Sequence, residues 1–110
     1  MLMASDARRR ALAAMSEAEF YEQVRVLAQL KGWYIYHPYD SRNSYSGWPD
    51  VVLLRERAGL TCMVVAELKR EKGKTTLPQE TVLALLACVP GVETHVWRPS
   101  DFEQIVKILE

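Results

Sequence analysis

The sequence has no net charge, few cysteines and no long apolar run. Lysine and arginine together number 14, as do aspartate and glutamate, so the formal net charge of the 110 residues is zero. Because the charge of the whole chain neither favours nor opposes a polyanionic partner, only local clusters bear on nucleic-acid binding. With 49% hydrophobic and 25% charged residues, the chain fits one compact domain with a single core.

The scarcity of cysteine and of apolar runs excludes two further classes of protein. Cys62 and Cys88 are too few for a disulfide framework, and both lie in apolar segments. Each is expected to be a buried free thiol, which suits a reducing cytoplasm. No apolar run approaches the roughly 18 residues of a membrane span, and residues 1–15 lack the apolar region of a signal peptide. We therefore expect a cytoplasmic protein with no membrane partner.

Capping signals and apolar periodicity divide the chain into helices and strands. Capping boxes predict helices that begin at Ser16, Thr76 and Ser100. Short apolar runs bounded by turn residues predict four strands, at 33–37, 50–55, 61–69 and 93–98.

The order of these elements predicts the fold class. It is αβββαβα, which is typical of an α/β domain whose mixed sheet is flanked by helices. The domain is expected to span residues 15–110. Residues 1–14, which carry the cluster Arg8-Arg9-Arg10, are expected to be an N-terminal extension or a short helix, and no function is assigned to them.

Three charged residues are expected to converge at one end of the second and third strands. If this hairpin turns on Ala58-Gly59, its pairing sets Asp50 directly opposite Glu67. Opposed side chains on an antiparallel pair lie roughly 4.5 to 5.5 Å apart at Cβ. Because strand side chains alternate, Lys69 lies on the same face as Glu67. Two carboxylates this close repel each other unless a cation lies between them.

Two interpretations of this cluster remain open from spacing alone. In one, Lys69 forms a strand-end salt bridge with Glu67 or Asp50 on a solvated rim. In the other, the carboxylates bind a divalent cation, and Mg²⁺ or Mn²⁺ fits oxygen ligands better than zinc does. The histidines and cysteines lack the spacing of zinc ligands. Since magnesium is usually held by carboxylates together with substrate phosphates, the second interpretation indicates phosphoryl chemistry.

The strongest local basic cluster directly follows the third strand. It comprises Lys69, Arg70, Lys72 and Lys74, and it is either a polyanion-binding loop or a solvated charged loop. Three further residues are candidates for phosphate contacts, namely His37, Ser41 and Arg42. The alternatives are a packed strand-end histidine for His37 and a solvated loop for Ser41 and Arg42.

The motifs resemble those of a nuclease family. Pro49-Asp50, a spacer and then Glu67-Leu68-Lys69 resemble the PD-(D/E)XK signature of restriction-enzyme-like nucleases. The chain is more similar still to the VRR-NUC branch, the virus-type replication and repair nucleases. In that branch a helix with a glutamate precedes a GxPD strand, and ExK, a glutamine-bearing helix and a vWRP strand follow. The corresponding segments within 16–110 are SEAEFYEQV, GWPDVVLL, AELKREKGK, LPQETVLALL and HVWRPSDFEQIVKIL.

The resemblance implies a restriction-endonuclease-like fold and a set of catalytic roles. It implies that Asp50 and Glu67 hold Mg²⁺ or Mn²⁺, with the backbone carbonyl of Leu68 as a further oxygen ligand. It also implies that Lys69 orients or deprotonates the attacking water and offsets charge on the phosphate.

Two helices carry further residues that the resemblance assigns to the site. The first helix offers Glu17 or Glu19, and because Glu19 is the N3 partner of its capping box, Glu17 is favoured as a ligand through water. Gln79 matches the glutamine of the family, but it is equally the capping partner of its own helix, and both interpretations remain open. The family often has a glutamine where this chain has Tyr21, which leaves that contact in doubt.

The implied function is metal-dependent endonucleolytic cleavage of DNA. The implied substrate is structured or branched DNA such as a Holliday junction, in replication or repair. Because so small a domain covers little nucleic acid, a symmetric homodimer is expected, and its two sites would suit paired cuts. A non-catalytic nucleic-acid-binding module with the same fold and an unrelated interaction protein are the alternatives. The sequence does not distinguish DNA from RNA.

Overall fold

The computed structural model describes residues 2–38 and 46–110, and these form an α/β structure. The strands make one four-stranded mixed sheet, so the predicted α/β class with a mixed sheet is confirmed. The elements in chain order are α1 (Leu2–Ala14), α2 (Glu17–Leu30), β1 (Tyr34–Tyr36), β2 (Val51–Arg57), β3 (Leu60–Leu68), α3 (Leu77–Ala87), β4 (Val92–Trp97), a 3₁₀ turn (Pro99–Asp101) and α4 (Phe102–Ile108).

The sheet has the strand order β1-β2-β3-β4. The first two pairs are antiparallel, whereas β3 and β4 are parallel. A parallel pair requires a crossover connection, and α3 is the helix that lies between β3 and β4 along the chain. The hairpin strands β2 and β3 are therefore the two central strands.

Reciprocal capping fixes where α2 and α3 begin, as predicted. At the start of α2, the Ser16 hydroxyl accepts a hydrogen bond from the Glu19 amide at 3.1 Å, and the Glu19 carboxylate accepts one from the Ser16 amide at 3.0 Å. Thr76 and Gln79 form the same pair of bonds at the start of α3. Each box satisfies backbone N–H groups that a helix start would otherwise leave unpaired.

The third predicted capping box, at Ser100, is wrong. Pro99 opens a 3₁₀ turn, and α4 begins only at Phe102. The carboxylate of Asp101 turns back to accept a hydrogen bond from the Arg98 amide at 2.8 Å. The Ser100 amide instead donates to the Glu71 carboxylate at 3.0 Å. The fixed φ of proline starts a tight turn here, so the helix begins later than the sequence pattern indicates.

The main core lies between one face of the sheet and helices α2 and α4. Residues of both helices and of the alternating inward positions of β2 and β3 are almost fully buried. These core residues are Phe20, Val24, Ala28, Trp33, Val51, Leu53, Val64, Ala66, Leu68, Trp97, Ile105 and Leu109. On the opposite parity, Val52 and Val65 are also buried, so the centre of the sheet is covered on both faces.

Predictions from composition had mixed outcomes. Cys62 and Cys88 are free thiols, and Cys62 packs against the core. Cys88 is exposed, so its predicted burial is wrong, because its apolar segment lies at the exposed end of α3, where only Leu83 is buried. Within residues 2–38 and 46–110, no helix is both long enough and apolar enough to cross a membrane.

Candidate active site

The tight turn of the β2–β3 hairpin brings the two predicted carboxylates together. Ala58 and Gly59 have φ angles of 53° and 81°, which match the two left-handed positions of a type I′ turn. The resulting register pairs Val51 with Ala66, as predicted. Asp50 precedes one of these residues and Glu67 follows the other, so the carboxylates lie side by side where the hairpin opens.

Glu67 is the one charged residue buried among those the structure describes, and only 2% of its surface is exposed. Its Oε1 accepts a hydrogen bond from Gln79 Nε2 at 3.0 Å and lies 3.8 Å from Lys69 Nζ. Its Oε2 is buried and has no hydrogen-bond partner within the described ranges. A buried carboxylate oxygen without a donor is costly unless the group is protonated or binds a cation.

The electrostatics of Glu67 follow from this burial. The pKa of Glu67 is raised to about 8, chiefly by burial. A hydrogen bond that the protonated carboxyl group can share with Asp50, and the negative charge of Asp50, contribute to the same shift. The ammonium of Lys69 opposes the shift, and the carboxylate of Glu17 adds to it. At neutral pH the side chain therefore holds a proton unless another cation takes its place.

Asp50 is held through both its side chain and its backbone carbonyl. Its Oδ2 accepts a hydrogen bond from the Leu68 amide at 2.7 Å. Its carbonyl oxygen lies 2.6 Å from His37 Nδ1. The segment before it also passes close to α3, because a Cβ built on Gly47 would lie 2.3 Å from the Pro78 carbonyl oxygen. Only glycine fits at Gly47, because any side chain there would collide with the backbone of α3.

Lys69 forms an ion pair with Glu67, but the pair does not lie on a solvated rim. The side chain of Lys69 is only 13% exposed, and that of Glu67 is almost fully buried. The simple salt-bridge interpretation expects a solvent-exposed pair, which contributes little to stability. Here the ion pair engages Oε1 and leaves Oε2 without a hydrogen-bond partner in the described residues.

Gln79 makes the predicted capping hydrogen bond and also contacts Glu67, while its role in a functional site stays a prediction. Its Oε1 accepts the capping hydrogen bond from the Thr76 amide at 2.9 Å, while its Nε2 donates to Glu67 at 3.0 Å. A side-chain amide can do this because its oxygen accepts hydrogen bonds while its NH₂ group donates them. The start of α3 is thereby tied to the buried carboxylate.

A cleft of about 430 Å³ opens beside Asp50. Glu17 of α2 lies in its wall, whereas Glu19 is held in the capping box at the same helix start. The placement agrees with the preference for Glu17 as the helix carboxylate near the site; its role as a ligand stays a prediction. The cleft is lined by Glu17, Ala18, Tyr21, Glu22, His37, Asp50 and Leu68.

Tyr21 is a cleft residue whose place in the site the sequence left in doubt. Its ring stacks on His37 with centroids 4.2 Å apart and planes at 27°. His37 is thus held by Tyr21 on one side and by the Asp50 carbonyl on the other. The position of Tyr21 one helical turn after Glu17 was the available signal, since residues four apart share a helix face.

Residues 70–74, which we call the basic loop, follow Lys69 directly. Hydrogen bonds connect this loop to the residues that follow β4. Arg98 donates to the Gly73 carbonyl through Nη2 at 2.8 Å, and Glu71 accepts from the Ser100 amide. Lys72 and Lys74 are exposed at the surface. Arg70 is also exposed and donates to the Ala13 carbonyl at 3.3 Å. Arg98 and Glu71 were not among the predicted site residues. Of the predicted phosphate contacts, Ser41 and Arg42 lie outside the described residues.

The residues present fit a divalent cation in part. Within the described ranges, no three His, Cys, Asp or Glu side chains come together as a metal-binding group. The cluster therefore offers two carboxylates, Asp50 and Glu67, and any further ligand has to come from the backbone, water or substrate. That donor set suits magnesium, which commonly keeps waters and uses only one or two protein carboxylates. The partnerless Glu67 Oε2 is the atom that such an ion would satisfy.

Comparisons with protein-family models, with curated proteins and with solved structures found no significant match. The resemblance to the VRR-NUC branch consequently depends on the motifs of the chain itself. It stays a prediction, and so do the activity, cofactor and partners that it implies.

Proposed function

We propose that this protein is a divalent-metal-dependent nuclease that hydrolyses phosphodiester bonds, with Mg²⁺ or Mn²⁺ as its cofactor. One observation supports the proposal above all others. Glu67 is buried beside Asp50, and its Oε1 contacts both Lys69 and Gln79. Its Oε2 has no hydrogen-bond partner in the described residues. A site built for stability alone would neutralise both oxygens or exclude the second carboxylate.

Each side chain has a distinct part in the proposed chemistry. Asp50 and Glu67 would hold the cation, which when bound stabilises charge on the phosphate and lowers the pKa of water. The hydrogen bonds from Leu68 N to Asp50 and from Gln79 to Glu67 keep the two carboxylates in fixed orientations. Lys69 lies beside Glu67, where its ammonium can position the attacking water or face the scissile phosphate.

The proposal extends to fold and substrate. The nuclease-like fold is supported by the D and ExK motifs, which occupy adjacent ends of the two central strands, and by the helix Gln79 that contacts the ExK glutamate. We propose DNA as the substrate, branched DNA such as a four-way junction in particular, and a cytoplasmic homodimer as the active form. The dimer is argued from size, because 110 residues cover few phosphates of a junction with two-fold symmetry.

The decisive experiment is a cleavage panel. Linear duplex, flapped, four-way and single-stranded DNA, and the same shapes in RNA, are incubated with the protein in Mg²⁺, in Mn²⁺ and in EDTA. We expect cutting that depends on the cation and is fastest on the four-way junction. Light scattering at the assay concentration tests the dimer. Cleavage that continues in EDTA, or no cleavage of any substrate, would contradict the proposal.

A non-catalytic nucleic-acid-binding module is the second candidate. It is favoured by the absence, in the described residues, of any group of three His, Cys, Asp or Glu side chains arranged to hold a metal ion. Such a module would bind the panel with the same affinity in EDTA and in Mg²⁺, and calorimetry would detect no cation binding. The nuclease is distinguished by cation binding that Glu67→Gln removes.

A further inference from the structure

Helix α1 carries an arginine face that the proposed site does not use. Arg9 and Arg10 precede Ala13 by four and three residues, so each is a neighbour of Ala13 on the helix surface, and all three line one groove. This part of the helix surface faces the basic loop across the groove, whose volume is about 410 Å³. The groove is lined by Arg9, Arg10, Ala13, Glu71 and Lys72.

Hydrogen bonds hold both walls of this groove, which we call the α1 groove. On the helix side, the Ala13 carbonyl accepts a hydrogen bond from the Arg70 guanidinium. On the loop side, Arg98 anchors the Gly73 carbonyl. A neighbouring hollow of about 360 Å³, which shares Ala13 and Lys72, continues the α1 groove along the loop. The cations are therefore arranged along a concave path and do not project from separate parts of the surface.

The residues that line the α1 groove carry more positive than negative charge, although the chain as a whole has no net charge. Its acidic lining residue, Glu71, already accepts a hydrogen bond from the Ser100 amide. Asp6 pairs with Arg9 at 2.7 Å, but both side chains are more than half exposed. Exposed pairs of this kind contribute little and are easily replaced by a phosphate.

Core packing does not explain the arginines of α1. No side chain among residues 5–14 is fully buried, and Arg9 and Arg10 are exposed. Their position beside the ExK strand is more informative. Lys72 follows Lys69 by three residues, and three residues of extended chain span at most about 11 Å. A strand bound in the α1 groove would thus lie within a few phosphates of the carboxylate pair.

We propose that the α1 groove binds the phosphate backbone of the nucleic-acid substrate, with Arg9, Arg10 and Lys72 as its contacts. The inference rests on the proposed nuclease function, which it deepens by assigning a substrate-binding role to the N-terminal helix. Guanidinium groups suit this role because their planar donors match two phosphate oxygens at once. A concave channel between a helix and a loop also fits a linear polyanion better than a flat lipid surface.

The test measures binding apart from cleavage. Fluorescence anisotropy of a labelled four-way junction, with Ca²⁺ in place of Mg²⁺, is recorded across a salt series. The proteins are the wild type, the double variant Arg9→Ala/Arg10→Ala, and Lys72→Ala. Arg8→Ala is the matched control, because Arg8 lies on the same helix, pairs with Glu103 and does not line the α1 groove. Circular dichroism verifies that each variant is folded.

We expect the double variant to bind about tenfold more weakly and its salt slope to become shallower by about 1.8, near 0.9 for each lost phosphate contact. Lys72→Ala should lose about half of that slope, and Arg8→Ala should stay within twofold of the wild type. An unchanged double variant, or an equal loss in Arg8→Ala, would overturn the inference. Arginine-dependent binding to phosphatidylserine vesicles without binding to DNA would also overturn it and indicate a membrane partner.

The same samples separate this inference from the proposed function. If the double variant loses affinity but the wild type cuts nothing in Mg²⁺ or Mn²⁺, the α1 groove is supported and the nuclease proposal fails. If the wild type cuts and the double variant binds normally, the nuclease proposal is supported and the α1 groove fails.

Discussion

The two ends of the β2–β3 hairpin both carry charged side chains, but the groups that surround these charges differ. At the turn end, Arg55 and Arg57 donate to backbone carbonyls of the chain terminus. At the open end, the half-buried Asp50 and the buried Glu67 place two carboxylates side by side. The same hairpin thus carries one charge cluster that faces carbonyl oxygens and one in which two carboxylates face each other.

Most contacts of the turn end are made by the guanidinium of Arg55. Arg55 Nη1 donates to the Lys31 carbonyl at 2.9 Å and to the Leu109 carbonyl at 3.2 Å. Its Nη2 donates to the Glu110 carbonyl, and its charge lies 4.4 Å above the centre of the Trp33 ring. These contacts join β2 to the ends of α2 and α4, so the function of this cluster is structural.

Each end leaves one buried polar atom without a hydrogen-bond partner in the described residues, Arg55 Nε at the turn end and Glu67 Oε2 at the open end. The difference is that the guanidinium of Arg55 donates to three carbonyl oxygens, whereas Glu67 lies beside a second carboxylate. Glu67 Oε2 has no partner in the described residues, and the nearest opposite charge, Lys69, is engaged with the other oxygen. Charges that are left uncompensated in a packed interior are concentrated at functional sites. The comparison therefore predicts that changes at the open end alter activity more than stability, and that changes at the turn end do the reverse.

The largest expected effect comes from neutralising one carboxylate. Asp50→Asn or Glu67→Gln should reduce cleavage to the level seen in EDTA, because the cation loses a charged ligand. Above about pH 8, where both carboxylates of the metal-free wild type are ionised, the variants should unfold at the same temperature as the wild type or above it, since one of two repelling charges is removed. Cleavage of a four-way junction and melting in EDTA measure both effects.

The control for the carboxylate variants is Glu93→Gln, which removes an exposed carboxylate that pairs with His95 on β4. It should leave cleavage and melting close to the wild type. A carboxylate variant at the open end that cuts normally would remove the distinction between the two ends of the hairpin.

The next effect concerns Lys69. Lys69→Ala should slow single-turnover cleavage by roughly 10² to 10⁴-fold, the usual contribution of a positioned acid, base or electrostatic group. Lys69→Arg should restore the rate only in part, because a guanidinium is broader than an ammonium and cannot be deprotonated. Binding of the junction in Ca²⁺ should change little in both variants. A wild-type rate for Lys69→Ala would reduce the residue to a partner of Glu67.

Much of the open end was predictable from the sequence, because local rules determine it. The turn residues Ala58 and Gly59 determine the register, and alternation along β3 then puts Glu67 and Lys69 on one face. The capping boxes of α2 and α3 follow from equally local spacing. These features require only neighbours in sequence or strand pairing.

The remaining features depend on tertiary packing, which spacing does not determine. The contact of Gln79 with Glu67 exists because α3 lies against that face of the sheet. The stacking of Tyr21 on His37 depends on how α2 crosses β1. The exposure of Cys88 likewise shows that an apolar segment of a helix is buried only where another element covers it.

The pH dependence of stability should also distinguish the two ends of the hairpin. The pKa of Glu67 is about 8 in the folded protein against 4.5 for its ordinary value, chiefly because it is buried. Between these two pH values the folded state holds a proton that the unfolded state has released, so stability in EDTA should fall as pH rises from about 4.5 to about 8. The slope is at most about 1.4 kcal/mol per pH unit.

Urea unfolding at a series of pH values measures this slope, and Glu67→Gln provides the reference because it cannot ionise. The free-energy difference between the two proteins should widen with pH across the window and be constant above it. Mg²⁺ should reduce the difference by stabilising the ionised wild type. Parallel curves for wild type and variant would show that Glu67 is ionised throughout and would weaken the case for an uncompensated site.

The smallest effect is expected at the turn end and on stability alone. Arg55→Ala removes the guanidinium that bonds three backbone carbonyls and covers Trp33, so the free energy of unfolding should fall by about 2 kcal/mol. Arg25→Ala, which removes an exposed ion pair with Glu22 on α2, should cost less than about 0.5 kcal/mol. Urea unfolding measures both, and cleavage per folded molecule should be unchanged. A loss of activity in folded Arg55→Ala would show that the two ends of the hairpin are coupled.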